Sequence, residues 1–138
     1  MKKIIFAFII TSSVCVADSC KYPPFVEIFY PIYYKNNTDT VVSFGYSLLY
    51  PDTSIVHMQR YQITAVSPKK TSSIDNSSKD WADIINQDIP GKKLQVFVFS
   101  VLVNDTNWPT VRDNYLVKKR YEITADQLKT MNYTIAYL

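Results

Sequence analysis

The 138-residue chain carries two cysteines, two glycines and one histidine, and each scarcity closes off a class of chemistry. Cys15 and Cys20 both fall within the first twenty residues, so the body of the protein can build neither an internal disulfide framework nor a cysteine-ligated metal cluster. Gly45 and Gly91 stand far apart, too few for a glycine-rich phosphate loop or a dinucleotide fingerprint. A histidine-based metal site or nucleophile–histidine relay would have to centre on His57. No supporting spacing surrounds it, and it reads as a surface or half-buried side chain near the start of a strand.

Glutamate is scarce too. Beside Glu27 and Glu122 the acids are ten aspartates. Asp52, Asp75, Asp88 and Asp105 sit in or beside turn formers, and Asp80, Asp83, Asp113 and Asp126 sit near helix starts or on exposed faces. In those places hydrogen bonding to the backbone and interaction with the helix dipole account for them. No nucleophile, base and stabiliser come together in the sequence, so the chain is read as non-enzymatic, with no catalytic, cofactor or metal residues. A small extracytoplasmic hydrolase or hydrolase inhibitor is the alternative, motivated by the abundance of aspartate.

An excess of charge is also missing. The formal charge is +3. Without Lys2 and Lys3, thirteen basic residues face twelve acidic ones. Nucleic-acid binders show a clear basic excess, so no nucleic-acid partner is expected. Lys118-Lys119-Arg120 is the longest basic run; on a strand its members alternate between faces, which dilutes a patch and suits an edge strand.

What is present begins with Met1-Lys2-Lys3 and the apolar run Ile4–Ile10, the layout of a bacterial-type export signal. The run is well short of the roughly 20 residues that span a membrane. Small residues at Cys15-Val16-Ala17 place cleavage after Ala17, giving a signal peptide over 1–17 and a mature chain from Asp18. One cysteine then remains, and an odd cysteine in an exported protein needs an intermolecular disulfide or a lipid. Lipidation at Cys15 or Cys20 is the second route, and a lipid anchor would be the only membrane attachment. The expected location is the periplasm, the outer membrane or cell surface, or the extracellular medium.

Residues 18–25 contain Pro23-Pro24 and read as an extended lead. A single domain over 26–138 follows. Strands are expected at 26–35, with Pro31 at an edge or an interruption, and at 42–50, where Val42, Phe44, Tyr46, Leu48 and Tyr50 alternate with small residues as in a strand with one buried face. A third strand is expected at 60–66, and 67–78 reads as a polar loop. Trp81, Ile84 and Ile85 predict a short helix capped by Ser77 or Ser78. Residues 94–103, apolar on both parities, predict the central strand. A helix at 108–114 with Pro109 in its first turn, a strand at 115–123, a helix capped by Thr124 and packed through Leu128 and Met131, and a strand at 132–138 complete the pattern. Few connections reach the dozen or more residues that parallel crossovers need. The fold class is therefore mainly β, an antiparallel β-sandwich-like domain with two or three short helices.

The succession Pro31-Ile32, Asn36-Asn37-Thr38, Tyr50-Pro51-Asp52-Thr53, Trp108-x-x-Val111-x-x-x-Tyr115, Lys119-Arg120-Tyr121, Leu128 and Tyr133-Thr134-Ile135 resembles a group of small, uncharacterised exported proteins and lipoproteins of Bacteroidota-type bacteria. The resemblance covers most of the mature chain. It implies an envelope or extracellular setting and supplies no catalytic residues.

Aromatic residues are abundant. Eleven tyrosines, seven phenylalanines and two tryptophans are present, and exposed tyrosines make good surfaces for sugars and proteins. Tyr22, Tyr30, Tyr33 and Tyr34 cluster near the mature N-terminus, and the opposite parities of Tyr33 and Tyr34 require one of them to face away from the core. These four form the expected binding surface, for an envelope protein or a glycan. The Asn-x-Ser/Thr sites at Asn36, Asn76, Asn104 and Asn132 read as polar turn and strand positions.

Overall fold

A computed structural model describes residues 29–138. Among these residues the elements run β1 (Tyr30–Asn36), β2 (Val42–Ser47), β3 (Ile63–Val66), β4 (Thr71–Ser77), α1 (Trp81–Gln87), β5 (Leu94–Phe99), α2 (Trp108–Asp113), β6 (Val117–Ile123), α3 (Ala125–Thr130) and β7 (Thr134–Tyr137). They form a three-stranded sheet in the order β4-β1-β7 and a four-stranded antiparallel sheet in the order β3-β2-β5-β6. The architecture is the β-sandwich-like one the alternation predicts.

The space between the sheets is filled by alternate residues of each strand. Val42, Phe44 and Tyr46 of β2 and Leu94, Val96 and Val98 of β5 meet Ile32 and Tyr34 of β1 and Ile135 and Tyr137 of β7. Tyr34 stacks on Phe44 with ring centroids 4.6 Å apart and planes 14° from parallel, and Tyr137 meets Phe44 edge-on at 6.4 Å. Such ring pairs add about 0.5–1.5 kcal/mol beyond the area they bury. Trp81 and Ile85 of α1 and Leu128 of α3 close this core.

A second apolar layer covers the other face of the four-stranded sheet. Phe97 and Phe99 of β5 pack there with Ile55, Met58, Val103, Trp108 and Val111. This corrects the expectation that β2 has one buried face: Ser43, Gly45 and Ser47 are buried as well. Small residues are required there because the second layer lies close. A Cβ on Gly45 would stand 3.0 Å from Met58 Sδ and 3.1 Å from a ring carbon of Phe99. β5 is central in its sheet and buried at every position, as its apolar run predicts, although it ends at Phe99.

Several local expectations are corrected. The polar stretch 67–78 contains β4, which pairs antiparallel with β1 through its backbone and contributes Ile74 to the core. The strand expected at 60–66 begins as a 3-10 turn over Arg60–Gln62. β1 and β7 run parallel, so one pairing departs from the antiparallel rule. Pro31 lies on the central strand of its sheet and not at an edge; the interruption, its other expected setting, is present, as the register with β4 shifts between Pro31 and Ile32. α1 is capped by Asp80, which accepts from Ala82 N at 2.7 Å, in place of Ser77 or Ser78. Met131, expected to pack α3, is exposed, while Leu128 is fully buried.

Candidate functional site

The tyrosines singled out by the sequence separate once folded. On β1 the alternation buries Ile32, Tyr34 and Asn36 and turns Tyr33 and Lys35 outward. Tyr34 is 1% exposed beneath Phe44, so it is removed from the expected surface; burial, and next the proximity of Tyr46, hold its phenol well above the usual tyrosine range. Tyr33 is 39% exposed and Tyr30 half-buried against the core. Cys15, Ala17, Cys20 and Tyr22 lie outside the described residues.

Tyr30 and Tyr33 gain partners from the far end of the chain. Tyr33 pairs with Thr134 across the parallel β1–β7 ladder, and its amide donates to the Tyr133 carbonyl at 2.8 Å. This pairing lays the turn between α3 and β7 against the start of β1. The turn has the Schellman pattern: Asn132 N donates to Lys129 O and Tyr133 N to Leu128 O, both at 2.9 Å. Asn132 adopts φ 47°, which asparagine tolerates as a helix terminator, and Tyr133 follows at φ 56°. A tyrosine in this region costs about 1 kcal/mol or more, and such conformations gather at functional sites.

The Tyr133 side chain is fixed by Asp80. Its hydroxyl donates to both carboxylate oxygens, at 3.0 and 3.1 Å, while Asp80 also caps α1. Burial first, then the bond to Asp80 and the charges of Asp80 and Asp83, raise the Tyr133 phenol above its ordinary range and keep it a donor.

Phe29, Tyr30, Pro31, Tyr33, Asn132 and Tyr133 together line a cleft of about 200 Å³. Four rings and a proline supply apolar faces, and Asn132 is the one lining residue with a side-chain amide, a group that can donate and accept. The volume falls below the roughly 300–1,000 Å³ of pockets for drug-sized molecules, so the cleft takes one sugar ring or one side chain. A larger groove of about 410 Å³ lies between β6 and α3, lined by Tyr121, Glu122, Ile123, Asp126, Gln127, Thr130 and Met131. It follows a strand edge and contains a single ring, which suits a length of chain better than a small ligand.

The carboxylates are dispersed. Asp52 accepts from Ser54 N at 2.9 Å, and the amide and hydroxyl of Ser54, assisted by His57, hold its carboxyl below the usual range. His57 itself is exposed, in a turn ahead of the 3-10 segment. Asp88 pairs with Lys79, Asp105 with Arg60, Asp113 with Arg112, and Glu122 with Lys93 and Arg120. Among the described residues no three His, Cys, Asp or Glu side chains converge to hold a metal ion. No helix among them is long and apolar enough to cross a membrane. The chain matches no protein family, no curated protein and no solved structure.

Proposed function

We propose that this protein is a non-enzymatic, exported β-domain protein that binds a glycan through the cleft between the start of β1 and the α3–β7 turn. The observation that carries the reading is the meeting of Phe29, Tyr30, Tyr33 and Tyr133 with Asn132 in the lining of one cleft. Aromatic faces attract the C–H faces of a sugar ring, and a side-chain amide can satisfy its hydroxyls in both directions. The Asp80–Tyr133 bond holds one wall rigid before any ligand arrives, which lowers the ordering cost of binding. Export rests on the basic and apolar N-terminal segment, and the resemblance to small envelope proteins points the same way.

A glycan array probed with the wild-type protein and with the Phe29→Ala/Tyr33→Ala variant tests this reading. Binding by the wild type that the variant loses is the expected result. If no glycan binds, while a photocrosslinker placed at Tyr33 captures an envelope protein on cells, the cleft serves a protein partner instead. Turnover of an oligosaccharide would contradict the non-enzymatic reading.

A further inference from the structure

We infer that Lys118 and Lys119 form a binding site for a phosphate monoester at the open edge of the sandwich, where β6 stands beside β7. On a regular strand two consecutive lysines point to opposite faces. The pairing of β6 with β5 is not regular. Lys119 stands opposite Val98 and Val117 opposite Phe99, which leaves Lys118 as the extra residue of a bulge. Both lysines consequently turn toward the three-stranded sheet. The Lys118 ammonium lies 5.8 Å from the ring centroid of Tyr137 on β7, and the Lys119 ammonium lies 4.8 Å from that of Tyr121. Tyr137 belongs to the core between the sheets, and Tyr121 packs against that core. This corrects the expectation that alternation dilutes the basic run: only Arg120 turns to the other face, where it pairs with Glu122.

The two rings make a firm floor beneath the ammonium groups. The Tyr121 hydroxyl donates to the Ala136 carbonyl of β7 at 3.1 Å, and Tyr137 is held edge-on against Phe44. A ring face attracts a cation but carries no net charge, so both positive charges remain uncompensated. Arg60, Lys69, Lys79, Lys93, Arg112 and Arg120 each have a carboxylate within 3.2 Å; among the described residues neither Lys118 nor Lys119 has one. Two like charges gathered on one face by a backbone irregularity repel each other, and a doubly charged anion between them relieves the repulsion. A phosphate monoester carries close to two negative charges at neutral pH and three acceptor oxygens. Each ammonium offers three donors, and lysine meets phosphate as a point charge. A carboxylate or a phosphodiester brings one charge and leaves the second ammonium uncompensated.

The test is an NMR titration of the isotope-labelled protein with glycerol phosphate, a monoester, and with dimethyl phosphate, a singly charged diester. Beside it, the protein is sedimented with phosphatidylcholine vesicles that contain or lack phosphatidic acid, whose headgroup is a monoester. Glycerol phosphate should give saturable shifts at Lys118, Lys119 and Tyr137, and dimethyl phosphate should bind more weakly. Lys118→Gln/Lys119→Gln should lower the affinity about tenfold or more, while Arg120→Gln, which removes a charge from the other face, should leave it unchanged; circular dichroism confirms that both variants are folded. Binding of glycerol phosphate identifies a soluble ester as ligand, and sedimentation with phosphatidic acid alone identifies a lipid headgroup; either upholds the site if the double variant loses it. The inference is overturned if neither probe binds, if dimethyl phosphate binds as tightly as glycerol phosphate, or if Arg120→Gln weakens binding as much as the double variant does.

Discussion

Asn36, the last residue of β1, donates through Nδ2 to the carbonyl of Val66 at the end of β3, 2.9 Å away and fully buried. The same amide reaches Thr40 O at 2.7 Å and Ser67 O at 3.2 Å, and its oxygen accepts from the amide and hydroxyl of Thr38. One side chain therefore ties the three-stranded sheet to the four-stranded one. Asn36, a turn former by composition, thereby takes a structural role that its buried position explains.

Asn36→Ala should destabilise the domain by about 1–3 kcal/mol, because the buried Val66 carbonyl and two partly buried ones lose their donor at once. Asn36→Asp should cost more at neutral pH. It brings a buried charge against the same carbonyls, which raises the new carboxyl's pKa, so the variant should regain stability as the pH falls. Urea unfolding midpoints at neutral and acidic pH check both statements.

Gly45→Ala should cost about 1–3 kcal/mol by overpacking. The added methyl would press on Met58, Phe99 and Ile63, all within 3.2 Å of its position. Thermal unfolding measures the loss, and a variant as stable as the wild type would show that the second layer yields freely.

Alkaline pH should weaken the fold. Tyr34 keeps its proton more tightly when folded, chiefly because burial disfavours the phenolate. Its contribution is fully present below about pH 10, where the unfolded tyrosine is also neutral, and is lost as the pH rises beyond that, because the unfolded chain then releases a proton the folded one retains. Tyr34→Phe should flatten this decline. Unfolding midpoints compared on either side of about pH 10 give the slope.

Thr124→Ala should cost about 1 kcal/mol. Thr124 Oγ1 accepts from Gln127 N at 3.3 Å, and Gln127 Oε1 accepts from Thr124 N at 2.9 Å. Since α3 leads into the Asn132–Tyr133 turn, the variant should also weaken binding at the aromatic cleft. Denaturant unfolding and ligand titration read the two effects separately.

The sandwich class, the central β5, the capping box of α3 and the outward turn of one of Tyr33 and Tyr34 are all legible in the sequence, because period, capping pairs and parity are local signals; which of the two it is needs the fold. β4 is not, because Thr71, Ser72, Ser73 and Ser77 have the composition of a loop and become a strand only through backbone bonds to β1. Half of the cleft is hidden for a related reason. Tyr133 and Asn132 stand about a hundred positions from Tyr33, and a parallel pairing of that range leaves no pattern in either segment. Tyr34 misleads because a tyrosine reads alike on a surface and under a stacked phenylalanine.

The most direct test of a ligand-binding cleft is a heteronuclear NMR titration of the folded protein with soluble oligosaccharides, following the side-chain signals of Tyr30, Tyr33, Asn132 and Tyr133. A cleft that binds glycan gives saturable shifts confined to these residues and their neighbours, abolished by Tyr33→Ala while the domain keeps its stability. Saturable shifts centred elsewhere on the protein, or none across the whole glycan panel, would contradict that role.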